Sequence, residues 1–147
     1  MSPTVRFAPA TADDADALVA LRIAAMRESL ERIGRFDPTR ARERFLAGFA
    51  PECTRHILQG DVRIGFYVLK ASDDGQQLLL DHLYIQPGHQ GQGVGAAVLG
   101  HIFAEADVRG LPLRVGALRD SDSNRFYARY GFVLVEQAEF DNYYVRA

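Results

Sequence analysis

Residues 86–100 of the chain, QPGHQGQGVGAAVLG, contain the feature that decides the fold. Gly91, Gly93 and Gly95 alternate where the apolar run LDHLYI ends and an apolar pattern with helical spacing begins. Glycine is unfavourable inside helices and strands, and it is used where the backbone bends unusually or approaches another group closely. The pattern therefore predicts a strand, a glycine-rich turn and a helix N-terminus, with a ligand placed against the backbone of the turn.

The length and composition indicate one soluble globular domain that covers residues 1–147. A net charge of −2 gives no general attraction to nucleic acid or anionic lipid, and no apolar run approaches membrane-spanning length, so we expect neither partner. Cys53 is the only cysteine, which excludes an internal disulfide, and His56, His89 and His101 show no metal-ligand spacing. We expect a cytoplasmic protein without a metal.

The hydrophobic periodicity predicts eleven elements in the order β-α-α-β-β-β-α-β-α-β-β. Thr11 and Asp14 give the first helix a capping-box start and Gly34 ends it, while a second helix begins at Pro38 and ends near Gly48. The fold class is α/β (α+β): a single domain with a central mixed, mostly antiparallel twisted sheet flanked by helices.

A glycine-rich turn before a helix N-terminus is an anion site, because the first backbone N–H groups have no intrahelical partners. A Walker-type phosphate loop is excluded, since alanines and not Lys-Ser/Thr follow the last glycine. Gly91, Gly93 and Ala96 do spell the dinucleotide fingerprint G-x-G-x-x-A. The next strand, however, carries no acid before Asp120, and the upstream strands form a meander, so a nicotinamide-dinucleotide protein is the weaker alternative.

The segment Gln90-Gly91-Gln92-Gly93-Val94-Gly95 resembles the Q/R-x-x-G-x-G/A signature of the GNAT superfamily, the acyl-CoA-dependent N-acyltransferases. LDHLYIQP is similar to the fourth strand of that family and RFYARYGF to its later tyrosine motif, and the order of elements agrees along nearly the whole chain. The resemblance implies an N-acetyltransferase that moves an acetyl group from acetyl-CoA to a primary amine on a small molecule or peptide, by direct attack in a ternary complex. A non-catalytic acyl-CoA-binding or regulatory module on the same scaffold is the alternative.

The resemblance also implies a set of cofactor-binding residues. Backbone groups of Leu83, Tyr84 and Ile85 would run beside pantetheine like an added strand, where the sheet splays between its fourth and fifth strands. The amides of Leu83 and Ile85 would polarise the thioester carbonyl. The loop that would bind the CoA pyrophosphate consists of Gln90, Gly91, Gln92, Gly93, Val94, Gly95 and Ala96.

Tyr127 occupies the tyrosine position of the family motif, and by resemblance it would protonate or hydrogen-bond the CoA sulfur. Its ring is also expected to pack in the core. The family often has Asn six residues earlier, where this chain has Ser121, with Asn124 three residues later. Both are candidates to bind the cofactor, and capping of the short helix by Ser121 or Asp122 is an equal alternative.

A base must take a proton from the acceptor ammonium, and the adjacent Asp81 and His82 are the two candidates on the fourth strand. Side chains alternate along a strand, so the two point to opposite faces. We favour Asp81, because the resemblance places a polar residue facing the acceptor at this position. By family analogy, the helical pair with Arg27 and Phe36 forms the acceptor-side rim. A homodimer is a further expectation, with an exposed C-terminal strand edge as its physical basis.

Overall fold

The computed structural model describes residues 4–147, and the order of helices and strands agrees with the sequence prediction throughout. Three short 3-10 turns, at Ala12–Asp14, Pro51–Cys53 and Pro87–His89, are additional. The main elements are β1 (Arg6–Pro9), α1 (Ala15–Arg32), α2 (Pro38–Ala47), β2 (Thr54–Gln59), β3 (Val62–Ala71), β4 (Leu78–Ile85), α3 (Val94–Arg109), β5 (Leu113–Leu118), α4 (Ser123–Arg129), β6 (Val133–Gln137) and β7 (Asp141–Arg146).

Local sequence signals explain where the first two helices begin. The N–H of Thr11 donates to Asp14 Oδ2 at 2.8 Å in a capping box, and the turn that this bond closes leads directly into α1. Asp37 accepts a hydrogen bond from the N–H of Arg40 at 3.1 Å, and Pro38 occupies the first position of α2, where its missing N–H is harmless. The predicted starts of both helices are therefore confirmed.

The seven strands form one mixed sheet in the order β1-β2-β3-β4-β5-β7-β6. The pairs β1–β2, β2–β3, β5–β7 and β6–β7 are antiparallel, and β4–β5 is parallel. The parallel register joins Leu78–Leu80 to Leu113–Val115 and ends there: within the described chain, the next residues, Asp81 and Gly116, are not paired with each other, while Gly116 pairs with Tyr143 of β7. The predicted α/β fold class, with a mixed and mostly antiparallel sheet, is confirmed.

The chain divides into two compact units. The first contains residues 4–68 and 82–97, and the second contains residues 69–81 and 98–147. Strands β3 and β4 and helix α3 each contain a boundary, so these elements contribute residues to both units. The division does not decide whether residues 1–147 behave as the single domain expected from the sequence, which stays a prediction.

Each unit has buried apolar side chains of its own. In the first unit, side chains of α1, α2, β3 and the residue after β1 cluster together: Ala10, Leu18, Val19, Leu21, Phe45, Phe66 and Val68. In the second unit, the buried side chains come from β4, α3, β5, α4, β7 and the segment between α4 and β6, and they include Leu78, Leu80, Leu99, Ile102, Leu113, Val115, Tyr127, Phe132 and Tyr144. Burial of such side chains is the main favourable term in folding.

Candidate active site

The glycine-rich turn joins β4 to α3, as the sequence predicts. Gly91 and Gly93 have φ angles of +77° and +79°, which L side chains rarely adopt. A methyl group on Gly91 would meet no atom within 4 Å, so the need for glycine there is one of backbone conformation and not of space. The residues from Gln90 to Gly93 are exposed, whereas Val94 is buried and fixes the start of the helix.

Hydrogen bonds hold the turn against the end of β4. The side-chain amide of Gln90 donates to the backbone carbonyl of Ile85 at 2.8 Å, and the N–H of His89 donates to the carbonyl of Gln86 at 2.8 Å. The first bond at the start of α3 runs from the N–H of Ala97 to the carbonyl of Gly93 at 3.1 Å. The N–H groups of residues 94–96 precede that bond, so this helix start presents donors of the kind that bind anions.

A cluster of aromatic and basic side chains lies on one face of β4, within the same unit as the turn. We call it the β4 cluster and define it as Arg22, Phe45, Phe66, His82 and Tyr84. The ring of His82 lies 5.5 Å from those of Phe45 and Tyr84, and the Phe66 ring lies 5.5 Å from the Tyr84 ring, measured between centroids. Phe45 and Phe66 are buried, and the three polar members are half-buried. Helices α1 and α2 therefore both contribute side chains beside the second half of β4.

The phenolic oxygen of Tyr84 joins the two basic members of the β4 cluster. Arg22 Nε–H donates to Tyr84 Oη at 3.2 Å, and His82 Nδ1 lies 3.0 Å from the same oxygen. Arginine can only donate, so one lone pair of the phenol is used by Arg22. If His82 donates its Nδ1–H to the other lone pair, the ring is in the tautomer whose Nε2 accepts a proton.

Gly65 on β3 explains how the β4 backbone reaches this position. A methyl group at Gly65 would clash with the backbone carbonyl oxygen of Tyr84 and would crowd the side chain of Ile85. The N–H of Gln86 donates to the carbonyl of Ile64 at 2.7 Å, which keeps the end of β4 beside β3. Glycine at position 65 thus permits the close approach of the two backbones just where β4 carries Tyr84.

Asp81, the base favoured on the sequence, has a different environment from His82. Its carboxylate lies 2.9 Å from the ammonium of Lys70, the single lysine of the chain, in an ion pair that is partly exposed. By strand alternation its side chain points to the face opposite His82. The carboxylate therefore already has a cationic partner within its own unit.

Asn124 and Ser121 are part of a hydrogen-bond network in the second unit. The amide of Asn124 donates to the carbonyls of Leu118 and Ser121, both at 2.9 Å. Its oxygen accepts from Asn142 Nδ2 and from Tyr144 Oη, also at 2.9 Å. These four bonds use the full capacity of the side chain, so a bond from Asn124 to a cofactor would replace one of them.

The capping alternative for Ser121 and Asp122 is wrong. Ser121 Oγ donates to the carbonyl of Leu118 at 2.7 Å, and Asp122 occupies the N-cap of α4 without a side-chain cap bond. The same carbonyl also accepts from the N–H of Ser121 at 3.1 Å and from the side-chain amide of Asn124 at 2.9 Å. Whether Ser121 and Asn124 bind cofactor stays a prediction.

Tyr127 is buried with 5% of its surface exposed, and its ring packs against aromatic neighbours. Its centroid lies 5.4 Å from that of Phe126, 5.3 Å from that of Phe132 and 6.3 Å from that of Tyr144. The expected packing of the ring in the core is confirmed. The role of its hydroxyl stays a prediction.

Sequence reasoning missed Arg22, Phe45 and Phe66. On α1 it singled out Arg27, which in the structure pairs with Glu31 at 2.7 Å. A signal for Arg22 was present: it lies four residues after Leu18, on the side of α1 that contributes to the core. A charged residue on the core-facing side of a helix indicates a polar partner on an element that packs against that helix.

Among residues 4–147, no set of three or more His, Cys, Asp or Glu side chains is arranged to hold a metal ion. In the same described range, no helix combines the length and apolar character that crossing a membrane requires.

A family model described as an acetyltransferase (GNAT) domain matches residues 53–134, which is more than half of the chain. The chain therefore belongs to the GNAT family of acetyltransferases, and the resemblance found in the sequence is confirmed. The matched range contains the glycine-rich turn, the second half of β4 and Tyr127. Family membership supports acyl-CoA-dependent acetyl transfer as the general activity. No curated protein matches the chain.

Solved structures of acetyltransferases share the fold. The PaiA N-acetyltransferase of Thermoplasma acidophilum, in complex with coenzyme A, is 15% identical with a TM-score of 0.78, over 97% of this chain and 98% of that one. An acetyltransferase from Thermus thermophilus is 21% identical with a TM-score of 0.77, over 97% and 96%. The N-acetylglutamate synthase of Neisseria gonorrhoeae, complexed with coenzyme A and N-acetylglutamate, is 18% identical with a TM-score of 0.70, over 99% and 35%.

Proposed function

We propose that the protein transfers the acetyl group of acetyl-CoA to a primary amine by direct attack in a ternary complex. The observation that carries this proposal is the glycine-rich turn at the end of β4, with positive φ at Gly91 and Gly93, in a chain of the GNAT family. The exposed backbone of residues 90–93 and the N–H groups that open α3 would bind the CoA pyrophosphate. The loop residues proposed for this role are Gln90, Gly91, Gln92, Gly93, Val94, Gly95 and Ala96.

The second half of β4 would align the pantetheine arm. The parallel register of β4 ends at Leu80, so the backbone groups that follow, in Leu83, Tyr84 and Ile85, are the ones proposed to pair with pantetheine. The carbonyl of Ile85 already accepts a hydrogen bond from the side-chain amide of Gln90. The N–H groups of Leu83 and Ile85 are the proposed donors to the thioester carbonyl.

We assign the removal of the ammonium proton to His82, with Asp81 as the alternative. In the tautomer that directs Nδ1–H to Tyr84 Oη, the Nε2 lone pair takes the proton from the acceptor nitrogen. The neutral amine then attacks the thioester carbonyl carbon, so that the N–C bond forms and the C–S bond breaks. The nitrogen releases its second proton to solvent, and Tyr127 is proposed to donate a proton to the departing sulfur and to regain one from solvent. The structural support is the Tyr84 bond to His82 and the ion pair that occupies Asp81.

The experiment that tests this function is amine-dependent release of free CoA from acetyl-CoA, measured with a thiol reagent across a panel of primary amines. Turnover with at least one amine supports the enzyme. Acetyl-CoA binding without CoA release for any amine supports the non-catalytic acyl-CoA-binding module instead.

The expected cytoplasmic location and the homodimer stay proposals. For the latter, the edge strand β6 exposes Val133, Leu134 and Val135.

A further inference from the structure

Arg22 carries a positive charge that no carboxylate of the described chain balances. Six other arginines of residues 4–147 form ion pairs with acids, whereas others, such as the half-buried Arg55 and Arg63, form none. The six pairs are Arg6 with Asp61, Arg27 with Glu31, Arg32 with Glu28, Arg42 with Asp16, Arg114 with Glu136 and Arg146 with Asp107. Arg22 is half-buried, and across residues 4–147 it forms no ion pair. It is therefore a candidate to meet an anion from outside the chain.

The hydrogen bonds of Arg22 leave part of its guanidinium unused. Nε–H donates to Tyr84 Oη at 3.2 Å, and Nη1–H donates to the carbonyl of Ala41 at 3.4 Å. Both acceptors are neutral, so neither compensates the charge. Nη2 makes no hydrogen bond to any of residues 4–147. A guanidinium has five N–H donors and suits planar, paired recognition of a carboxylate.

The surroundings of Arg22 strengthen its attraction for an anion. Its guanidinium carbon lies 5.9 Å from the centroid of the Tyr84 ring, and Phe66 and Phe45 of the same β4 cluster are 0% and 4% exposed. Buried rings exclude water and lower the local dielectric constant, which strengthens charge–charge interactions. A partly buried charge without a counter-ion is unfavourable, and an arriving anion relieves that cost.

We propose that Arg22 binds a carboxylate group of the acceptor, so that the substrate class is amines that also carry a carboxylate, α-amino acids above all. This inference rests on the proposed function. Tyr84 Oη is shared by Arg22 and by His82, the proposed proton acceptor, so one oxygen atom separates the two basic groups. An α-amino acid carries its carboxylate and its amine on the same carbon atom, and the two groups would be held by Arg22 and His82 respectively.

The test compares acceptors that differ only in the carboxylate. A panel of α-amino acids is assayed against the matching decarboxylated amines and amino-acid amides, for example phenylalanine, phenethylamine and phenylalaninamide. We expect the wild type to favour at least one acid over its decarboxylated partner by about 10-fold or more in kcat/KM, as one charge-assisted interaction provides. A panel in which no carboxylate-bearing acceptor is preferred overturns the inference.

The variant Arg22→Gln isolates the role of the guanidinium. We expect it to lower kcat/KM for the preferred acid by about 100-fold, mainly through KM, and to change kcat/KM for the decarboxylated amine by less than about threefold. Arg22→Lys keeps the charge and recovers part of the preference. Arg6→Gln, on β1 and in an exposed ion pair with Asp61, is the matched control and is expected to keep the wild-type preference.

Three outcomes separate this inference from its alternatives. An equal loss for acids and decarboxylated amines in Arg22→Gln shows that Arg22 only positions Tyr84, and it overturns the inference. Preferential acetylation of phosphoethanolamine shows that the anion is a phosphate, and it also overturns the inference. Absence of acetyl-CoA binding overturns the proposed function itself. If Arg22→Gln does not fold, the Tm of the wild-type protein is measured in the presence of N-acetylamino acids and, separately, in the presence of N-acetylamines. Only the N-acetylamino acids are expected to raise the Tm.

Discussion

His82 Nδ1 lies 3.0 Å from Tyr84 Oη, and the two side chains project from the same face of β4, two residues apart. This contact fixes the orientation of the imidazole ring, because one ring nitrogen is held by the phenol and the other is directed away from it. It also links the ring to Arg22 through the phenol. The proposed proton acceptor, His82, is thus held by a hydrogen-bonded neighbour, whereas the carboxylate of Asp81 is held in an ion pair with Lys70.

Removal of the imidazole is expected to slow the chemical step. His82→Gln should lower kcat by about 100-fold or more, since a positioned general base contributes roughly that much. Acetyl-CoA affinity should be unchanged, as measured by calorimetry.

Asp81→Asn is the matched control for His82→Gln, and we expect its kcat to stay within about threefold of wild type because the carboxylate serves an exposed ion pair. Tyr84→Phe should fall between the two, because it keeps the ring but loses the bond to His82. A larger loss of kcat in Asp81→Asn than in His82→Gln would contradict the assignment of His82 and support Asp81 as the base, as favoured on the sequence.

Tyr127→Phe tests the proposed proton donor to the CoA sulfur. The ring packing with Phe126 and Phe132 is retained, so the variant should fold as wild type does. We expect kcat to fall by about 100-fold with little change in acetyl-CoA affinity. Tyr130→Phe, next to the same short helix, serves as the control and should keep kcat. Equal activity of the two variants would remove Tyr127 from the mechanism.

Gly91→Ala tests the conformational requirement of the turn. A residue with a side chain at φ +77° is strained by about 1–2 kcal/mol, although the space around Gly91 is open. The turn should shift to relieve that strain, so acetyl-CoA binding should weaken by about 10-fold, or 1.4 kcal/mol. The matched control is Gly100→Ala in the exposed part of α3, where space is also open. It should stabilise the protein by about 0.5–1 kcal/mol and leave binding unchanged.

Asp14 makes stability depend on acid pH. The N–H of Thr11 and, next, His56 at 2.9 Å hydrogen-bond its carboxylate and hold its pKa below the usual value of 3.8. Because the folded pKa is depressed, the contribution of Asp14 is fully present above pH 3.8 and is lost as the pH falls through the folded pKa. Denaturant unfolding of Asp14→Asn between neutral pH and strong acid should show a weaker loss of stability with acid than wild type. Asp13→Asn, next to it and exposed, should follow the wild-type curve.

Most of the fold could be predicted because its signals are local. Apolar periodicity identified each strand and helix, and Thr11, Asp14 and Pro38 marked two helix starts by chemistry that acts within one turn. The glycine-rich turn was equally local, since positive φ at Gly91 and Gly93 is a property of single residues.

The candidate site could be predicted only in part because its geometry is not local. Arg22 and Tyr84 are separated by 62 positions, and the helical pattern of α1 does not predict which residue Arg22 contacts. The structural use of Asn124 depends on Asn142 and Tyr144, which reach it only through the pairing of β5 with β7. The choice between Asp81 and His82 likewise depended on neighbours from α1, α2 and β3 that the strand sequence does not contain.

The measurement that tests the account most directly is calorimetric titration of the wild-type protein with acetyl-CoA, with desulfo-CoA and NAD as parallel ligands. We predict micromolar binding of acetyl-CoA that persists when the sulfur is absent, no binding of NAD, and weaker acetyl-CoA binding in Gly91→Ala than in Gly100→Ala. Folded protein that binds neither acetyl-CoA nor desulfo-CoA would contradict the assignment of the turn and, with it, the proposed acetyl transfer.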